Sequence, residues 1–223
     1  MYAKRNKTLK ALVAVLSMVL VMCLTVAGTL AWLVDETTPV VNTFSPSNID
    51  LKLEENATEG GTTKANTYKM IPGVEIAKDP KVTVTADIDS YVFVKVEETA
   101  NFDTYMTYAI ANGWKLLANN TVTDIAANTD LDGTYVLFRE VSATADEDQD
   151  SKNDVEAFYV LDGNQVMVPN TVTKGDMDKL YTNDGTVKAD AELPKLTFTA
   201  YAIQKQGFEH NLTGAWTQAQ AQG

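Results

Sequence analysis

The chain has 223 residues, of which 45% are hydrophobic, a composition that supports one sizeable folded domain and excludes a disordered chain. Its 18 basic residues stand against 30 acidic ones, and the resulting net charge of −12 opposes contact with nucleic-acid phosphates. The single cysteine, Cys23, lies in an apolar N-terminal stretch, so the remainder of the chain has no disulfide, thiolate zinc site or cysteine nucleophile.

The N-terminus has the pattern of an export signal. A basic start precedes an apolar stretch from Ala11 to Val34. Small residues, Thr29 and Ala31, occupy positions −3 and −1 of a cleavage site before Trp32, so we predict that residues 1–31 are a signal peptide. The apolar stretch is also long enough to cross a bilayer, and an uncleaved membrane anchor is the alternative. Cleavage would remove four basic residues and no acid, leaving a mature chain with a net charge of −16.

Several motifs resemble one family of secreted bacterial proteins. The segment from Gly28 to Leu33, followed by Asp35 and by Asn42-Thr43-Phe44, is similar to the SipW-dependent signal region of the TasA and camelysin (CalY) family. The motifs that resemble clostridial-type members are Pro72-Gly73, Lys78 to Val84, Tyr91 to Val96, Gly113-Trp114, Leu196 to Gln204 and Ala215-Trp216. The resemblance implies processing by a SipW-type signal peptidase and secretion to the exterior or cell surface of a Gram-positive-type bacterium. It says little about what each member does.

Residues 32–47 are predicted to form an extended N-terminal arm. Pro39 and Pro46 oppose helix and are poorly tolerated in a central strand, so the arm belongs at a sheet edge or outside the domain. The candidate donor-strand residues of this arm are Trp32, Leu33, Val40, Val41, Thr43 and Phe44. TasA-type proteins form matrix fibres by donor-strand exchange, and the resemblance implies the same here. The alternative is an arm that folds back onto its own sheet.

Period-2 alternation of apolar and polar residues dominates residues 48–206 and predicts a β-sandwich domain. The strand candidates are Ile49 to Leu53, Val82 to Ala86, Tyr91 to Glu98, Tyr135 to Val141, Ala157 to Leu161, Gln165 to Val168 and Leu193 to Gln204. Phe93 lies on the face opposite Val92 and Val94, so we expect that strand to be covered on both sides at its start. Asp162-Gly163-Asn164 joins two short apolar runs and predicts a hairpin.

Two helices are expected. The first begins near Asp103, which can cap it, contains an apolar pair four residues apart, and stops at Asn112-Gly113. The second runs from Thr213 to Ala221 in a C-terminal tail, residues 207–223. We therefore predict an all-β fold, a jelly-roll-like β-sandwich with small helical insertions, preceded by an N-terminal signal helix. The family resemblance implies the same fold.

Residues suited to catalysis are scarce. His210 is the only histidine, so an HExxH zinc motif, which needs two, is impossible, and no Gly-x-Ser-x-Gly elbow is present. We predict no catalytic residue and no cofactor. The camelysin branch has been labelled a metallopeptidase, so a carboxylate-only metal site keeps that activity as an alternative.

Calcium is the better metal candidate, although a weak one. Asp130 and Asp132, with Asn128 and Gly133, imitate the first half of an EF-hand loop. Arg139 stands where the loop needs its bidentate glutamate, so a simple Asp-Gly turn is the favoured interpretation and we predict no metal site.

The sequence thus predicts a secreted biofilm-matrix or cell-surface structural protein, a fibre subunit that self-associates by strand exchange. It predicts no nucleic-acid partner and membrane contact only through the uncleaved leader. Two other function classes stay open: a camelysin-like secreted metalloendopeptidase and a monomeric surface adhesin.

Overall fold

The computed structural model describes residues 10–19, 48–57, 61–126, 131–143 and 155–222. The chain divides into two compact units, Met1–Ser45 and Pro46–Gly223. In the first unit, residues 10–19 form a helix, α1, whose residues are all exposed. No helix among the described residues is both long and apolar enough to span a membrane. The predicted arm, residues 32–47, lies outside the described residues.

The second unit is built mainly from antiparallel β-strands. The strands of the described residues are β1 (Ile49–Glu54), β2 (Glu75–Ala77), β3 (Lys81–Ala86), β4 (Ser90–Glu98), β5 (Lys115–Ala118), β6 (Thr121–Asp124), β7 (Thr134–Val141), β8 (Glu156–Tyr159), β9 (Gln165–Met167) and β10 (Leu196–Gln204). The helices of this unit are α2 (Phe102–Tyr105), α3 (Lys174–Leu180) and α4 (Leu212–Gln222). The strands form a three-stranded sheet in the order β1-β3-β8, a five-stranded sheet in the order β10-β4-β7-β5-β6, and a small β2-β9 sheet. The all-β prediction is confirmed.

The main core lies between the three-stranded and the five-stranded sheet. Val82 and Val84 of β3 share one fully buried cluster with Val92 and Val94 of β4 and with Leu137 of β7. These residues recur every second position, because alternate side chains of a strand point to the same face. Each fully buried valine stabilises the fold by about 1.5 kcal/mol. The predicted strands at β1, β3, β4 and β7 are confirmed.

The opposite face of the five-stranded sheet is also covered. Phe93 and Phe138 lie in a second cluster with the buried Ala215 of α4. The ring of Trp216, in the same helix, packs against that of Phe93 in a tilted arrangement, with a ring-centroid distance of 5.4 Å. The expectations that β4 is covered on both sides at its start and that the C-terminal tail contains a helix are therefore confirmed.

The predicted hairpin at Asp162-Gly163-Asn164 is wrong. These residues form a short 3-10 turn, in which Gly163 and Asn164 take positive φ angles of 60° and 55°. The strands on either side of the turn do not pair with each other, because β8 pairs with β3 whereas β9 pairs with β2.

The helix predicted from Asp103 to Gly113 is mostly wrong. Helix α2 ends at Tyr105, and its N-cap is Asn101, without a side-chain capping hydrogen bond. Beyond it, the backbone extends. Thr107 N donates a hydrogen bond to Met167 O, and Met167 N donates one to Thr107 O, both at 2.8 Å. These bridging hydrogen bonds to β9 replace the helical ones, so tertiary pairing overrides the local apolar spacing.

Candidate functional site

A groove of about 450 Å³ runs between the end of β1 and the start of β10. Leu53 and Glu54 line it from β1, and Leu196 and Phe198 line it from β10. Both strands are the outermost members of their sheets, and neither has a second strand partner within the described ranges. The groove therefore follows two sheet edges, and the edge of a sheet is where a further strand can add.

At the β1 edge, a side chain takes the position of a strand partner. Lys64 donates a hydrogen bond from its ammonium group to the backbone carbonyl of Leu53. Two residues after Leu53, Glu55 N donates to Thr63 O at 3.0 Å. The segment before Tyr68 thus closes over the end of β1 without forming a strand there.

The floor of the groove is apolar. Met70 and Ile76 pack against a buried cluster that includes Met106 and Val166, and all four residues line the groove. The partly buried ring of Phe198 belongs to the same surface. Such a floor suits aliphatic and aromatic side chains, and the volume falls within the range of about 300 to 1,000 Å³ that is typical of ligand pockets.

One wall of the groove carries a largely buried ionic network. Lys78 Nζ lies 2.8 Å from Glu55 Oε1, and Tyr68 donates its hydroxyl hydrogen to Glu55 Oε2 at 3.2 Å. The Lys78 ammonium also lies 5.5 Å from the ring centroid of Tyr68 and 5.4 Å from that of Phe198. Burial, followed by the charge of Glu55, raises the pKa of Tyr68 well above its usual range, so the phenol stays protonated and remains a donor. The wall is therefore polar but internally satisfied.

The calcium candidate Asp132 lies in a carboxylate cluster. Its carboxylate oxygen lies within 4.8 Å of ligand atoms from Glu98 and Asp103, which the EF-hand pattern did not include. Glu98 also accepts hydrogen bonds from the Tyr108 hydroxyl and, at 3.2 Å, from Gly133 N. The second candidate, Asp130, lies outside the described residues. Carboxylate oxygens are ligands that suit calcium.

The other candidate residues fall into two groups. The cleavage-site residues and the donor-strand residues lie outside the described residues and stay predictions: Thr29, Ala31, Trp32, Leu33, Val40, Val41, Thr43 and Phe44. His210, by contrast, is described and exposed, and its backbone carbonyl accepts a hydrogen bond from Asn120 Nδ2 at 3.5 Å. The neighbouring Glu209 carboxylate accepts from Gly207 N. No sequence signal pointed to the groove, because its walls come from distant segments.

Comparison with known proteins adds no assignment: no protein-family model, no curated protein and no solved structure matches the chain.

Proposed function

We propose that this protein is a secreted biofilm-matrix or cell-surface structural subunit that assembles into fibres by strand exchange. The observation that carries the proposal is the groove between the edges of β1 and β10. In this proposal, the arm of one subunit, residues 32–47, adds a strand in the groove of the next. The function requires no catalytic residue and no cofactor.

The arm has the chemistry that the groove would accept. If the arm is extended, Val40 and Phe44 would share one face and Val41 would lie on the other. Apolar side chains would pack on the groove floor, while the backbone would hydrogen-bond to a sheet edge. A strand added in this way draws its affinity from main-chain hydrogen bonds and its specificity from side-chain pockets.

The energetic balance of insertion is close. Burying Trp32, Leu33, Val40, Val41 and Phe44 at about 2 kcal/mol each yields on the order of 10 kcal/mol. Ordering the 13 backbone residues from Trp32 to Phe44 costs about 1 kcal/mol each. Because these contributions nearly cancel, the ladder hydrogen bonds and the preformed groove decide whether the strand inserts.

The negative net charge should make assembly depend on pH and salt concentration. After cleavage before Trp32, the chain would carry a net charge of −16, and the isoelectric point of the full chain is about 4.5. Repulsion between like-charged subunits opposes close stacking and is screened by salt. Fibres should therefore form more readily as the pH falls toward the isoelectric point or as salt increases.

We further propose that the sheets form a jelly-roll-like sandwich. The consecutive strands β3 and β4 lie in different sheets, and so do β7 and β8. Repeated crossing between two layers is typical of jelly-roll connectivity. We also propose export through a signal peptide, residues 1–31, cleaved by a SipW-type peptidase of a Gram-positive-type bacterium.

Electron microscopy and light scattering of the chain beginning at Trp32 test this function. We expect fibres whose yield increases at lower pH and higher salt. A matched chain beginning at Ser45, which lacks residues 32–44 of the arm, should show the same circular dichroism spectrum and remain monomeric. Fibre formation by the armless chain at the rate of the longer one would refute strand exchange.

A further inference from the structure

The guanidinium group of Arg139, in β7, packs against two aromatic rings whose planes meet at 82°. Its central carbon lies 4.0 Å from the ring centroid of Phe158 and 5.5 Å from that of Trp114. The Trp114 indole is itself fixed, because its N–H donates to the backbone carbonyl of Tyr159 at 2.8 Å. Stacking on rings of this kind favours arginine over lysine.

The backbone of Gly113 also packs closely against the Arg139 guanidinium. A Cβ atom added at Gly113 would lie 2.1 Å from Arg139 Nη2, so only glycine admits the guanidinium this closely. Along β7, Tyr135, Leu137 and Val141 are buried on the face to which position 139 belongs. Arg139 thus projects from the side of the sheet that faces the main core, and it is half-buried.

The guanidinium donors of Arg139 have no partner among the residues that the structure describes. Its side chain makes no hydrogen bond and no ion pair with any of those residues, while its backbone belongs to the β4–β7 ladder. No fully buried side-chain nitrogen in the described ranges lacks a partner, so the nitrogens of Arg139 reach solvent. Burial lowers the pKa of Arg139 and the charge of Glu156 raises it, and an arginine stays protonated throughout.

Several other cations of the described residues form ion pairs with acidic side chains. The lysines that form ion pairs are Lys52, Lys78, Lys95, Lys115, Lys174, Lys179 and Lys205. Among the 18 basic residues of the chain, arginine occurs only at positions 5 and 139. The guanidinium of Arg139 is therefore a rigid, half-buried group whose solvent-facing nitrogens can donate hydrogen bonds to a ligand.

We propose that Arg139, held by Phe158, Trp114 and Gly113, is a binding site for a carboxylate. A carboxylate matches the planar guanidinium through two parallel N–H···O hydrogen bonds, and the solvent-facing nitrogens are where it would dock. The carboxylate comes either from a free organic acid or from an Asp or Glu side chain of a second copy of this chain. Arg139 does not line the groove, so this site is independent of strand exchange.

Nuclear magnetic resonance of the ¹⁵N-labelled full-length chain in non-ionic detergent tests the site. The chain contains two arginines, so the Nε–H signal that disappears in Arg139→Lys belongs to Arg139. Sodium acetate should shift this signal saturably, with half-saturation on the order of 10 mM, while sodium chloride at equal ionic strength should not. An equal, linear drift in both salts would overturn the proposal.

The Trp114 indole N–H supplies a second readout. Acetate should shift it in the wild-type chain and leave it unchanged in Arg139→Gln, because the stacked guanidinium transmits the effect. A Trp114 response that persists in Arg139→Gln would overturn the assignment to Arg139. Tighter saturation by inorganic phosphate than by acetate would overturn the preference for a carboxylate.

Dilution distinguishes the two sources. If a second copy supplies the carboxylate, the Arg139 signal should shift with protein concentration in the absence of acetate, and acetate should reverse that shift. If a free acid is the ligand, the signal should be independent of protein concentration and should respond to acetate alone. The wild-type titration decides between binding and no binding even if a variant fails to fold.

Discussion

Lys78 Nζ and Glu55 Oε1 lie 2.8 Å apart, and the two side chains are only 11% and 15% exposed. The pair joins the segment after β2 to the residue that follows β1, and it forms one wall of the groove. A charge buried to this degree depends on its partner, because neither group is solvated well enough to stand alone.

Replacing Lys78 by methionine should therefore destabilise the protein by about 3 kcal/mol, since Glu55 would be left buried without its counter-ion. Urea unfolding measures this change. The matched control is Lys52→Met, because the Lys52–Asp50 pair is longer, at 3.6 Å, and both side chains are more than half exposed. The control should change the free energy of unfolding by less than about 0.5 kcal/mol. Equal losses of unfolding free energy in the two variants would show that the buried Lys78–Glu55 pair contributes no more to stability than the exposed Lys52–Asp50 pair.

Gly113 is expected to be intolerant of a side chain for two separable reasons. Its φ of 90° lies in the left-handed region, and an added Cβ would collide with Arg139 Nη2. Gly185 has a similar φ of 82°, and an added Cβ there would meet no other atom. Gly185→Ala should therefore destabilise the protein through backbone strain alone, by about 1 kcal/mol. Thermal unfolding should show a larger loss for Gly113→Ala. Identical losses would mean that Arg139 moves aside without cost.

The carboxylate of Glu98 should make stability depend on pH. Burial raises the pKa of Glu98 above its ordinary value of 4.5. The charges of Asp103 and Asp132 raise it further, whereas hydrogen bonds from the Tyr108 hydroxyl and Gly133 N oppose the shift. A raised folded-state pKa favours the folded protein when the group is protonated. The stabilisation is complete below pH 4.5 and is lost as the pH rises through the folded-state value.

Glu98→Gln cannot ionise, so it should lose less stability than the wild type between pH 4.5 and pH 7. Urea unfolding of both proteins at several pH values across this window provides the test. Parallel curves for the two proteins would contradict a raised pKa at Glu98.

The strands that alternate most regularly were predictable from local sequence. In β1 and β3, residues of higher and lower burial alternate along the whole strand, because every second side chain faces the core. The β5–β6 hairpin was missed, although Asn119 and Asn120 both take positive φ angles, 46° and 65°. Consecutive asparagines are a signal for such a two-residue turn, so this hairpin could have been found.

Helix α3 was not predicted from the sequence, for a different reason. Its start carries a capping box, in which Thr173 and Asp176 exchange side-chain-to-backbone hydrogen bonds. The helix is only seven residues long and is largely polar, so apolar periodicity did not reveal it. The groove could not be predicted at all, because Glu55, Lys78 and Phe198 meet only when the two sheets are packed.

Filling the groove should block assembly while leaving the fold intact. Thr67 lines the groove and is exposed, so Thr67→Trp should change the free energy of unfolding by no more than about 0.5 kcal/mol. In the chain beginning at Trp32, this variant should form no fibres. Thr121→Trp is the matched control, since Thr121 is exposed on β6 and does not line the groove. Normal light-scattering growth by the Thr67 variant would exclude the groove as the acceptor.

The central claim is that the groove between β1 and β10 accepts the arm, and a peptide titration measures this directly. A synthetic peptide of residues 32–45 is added to the ¹⁵N-labelled unit Pro46–Gly223, and amide shifts are followed by nuclear magnetic resonance. Strand exchange predicts saturable shifts at groove residues such as Leu53, Ile76 and Leu196. The absence of shifts at saturating peptide, or shifts confined to other surfaces, would contradict it.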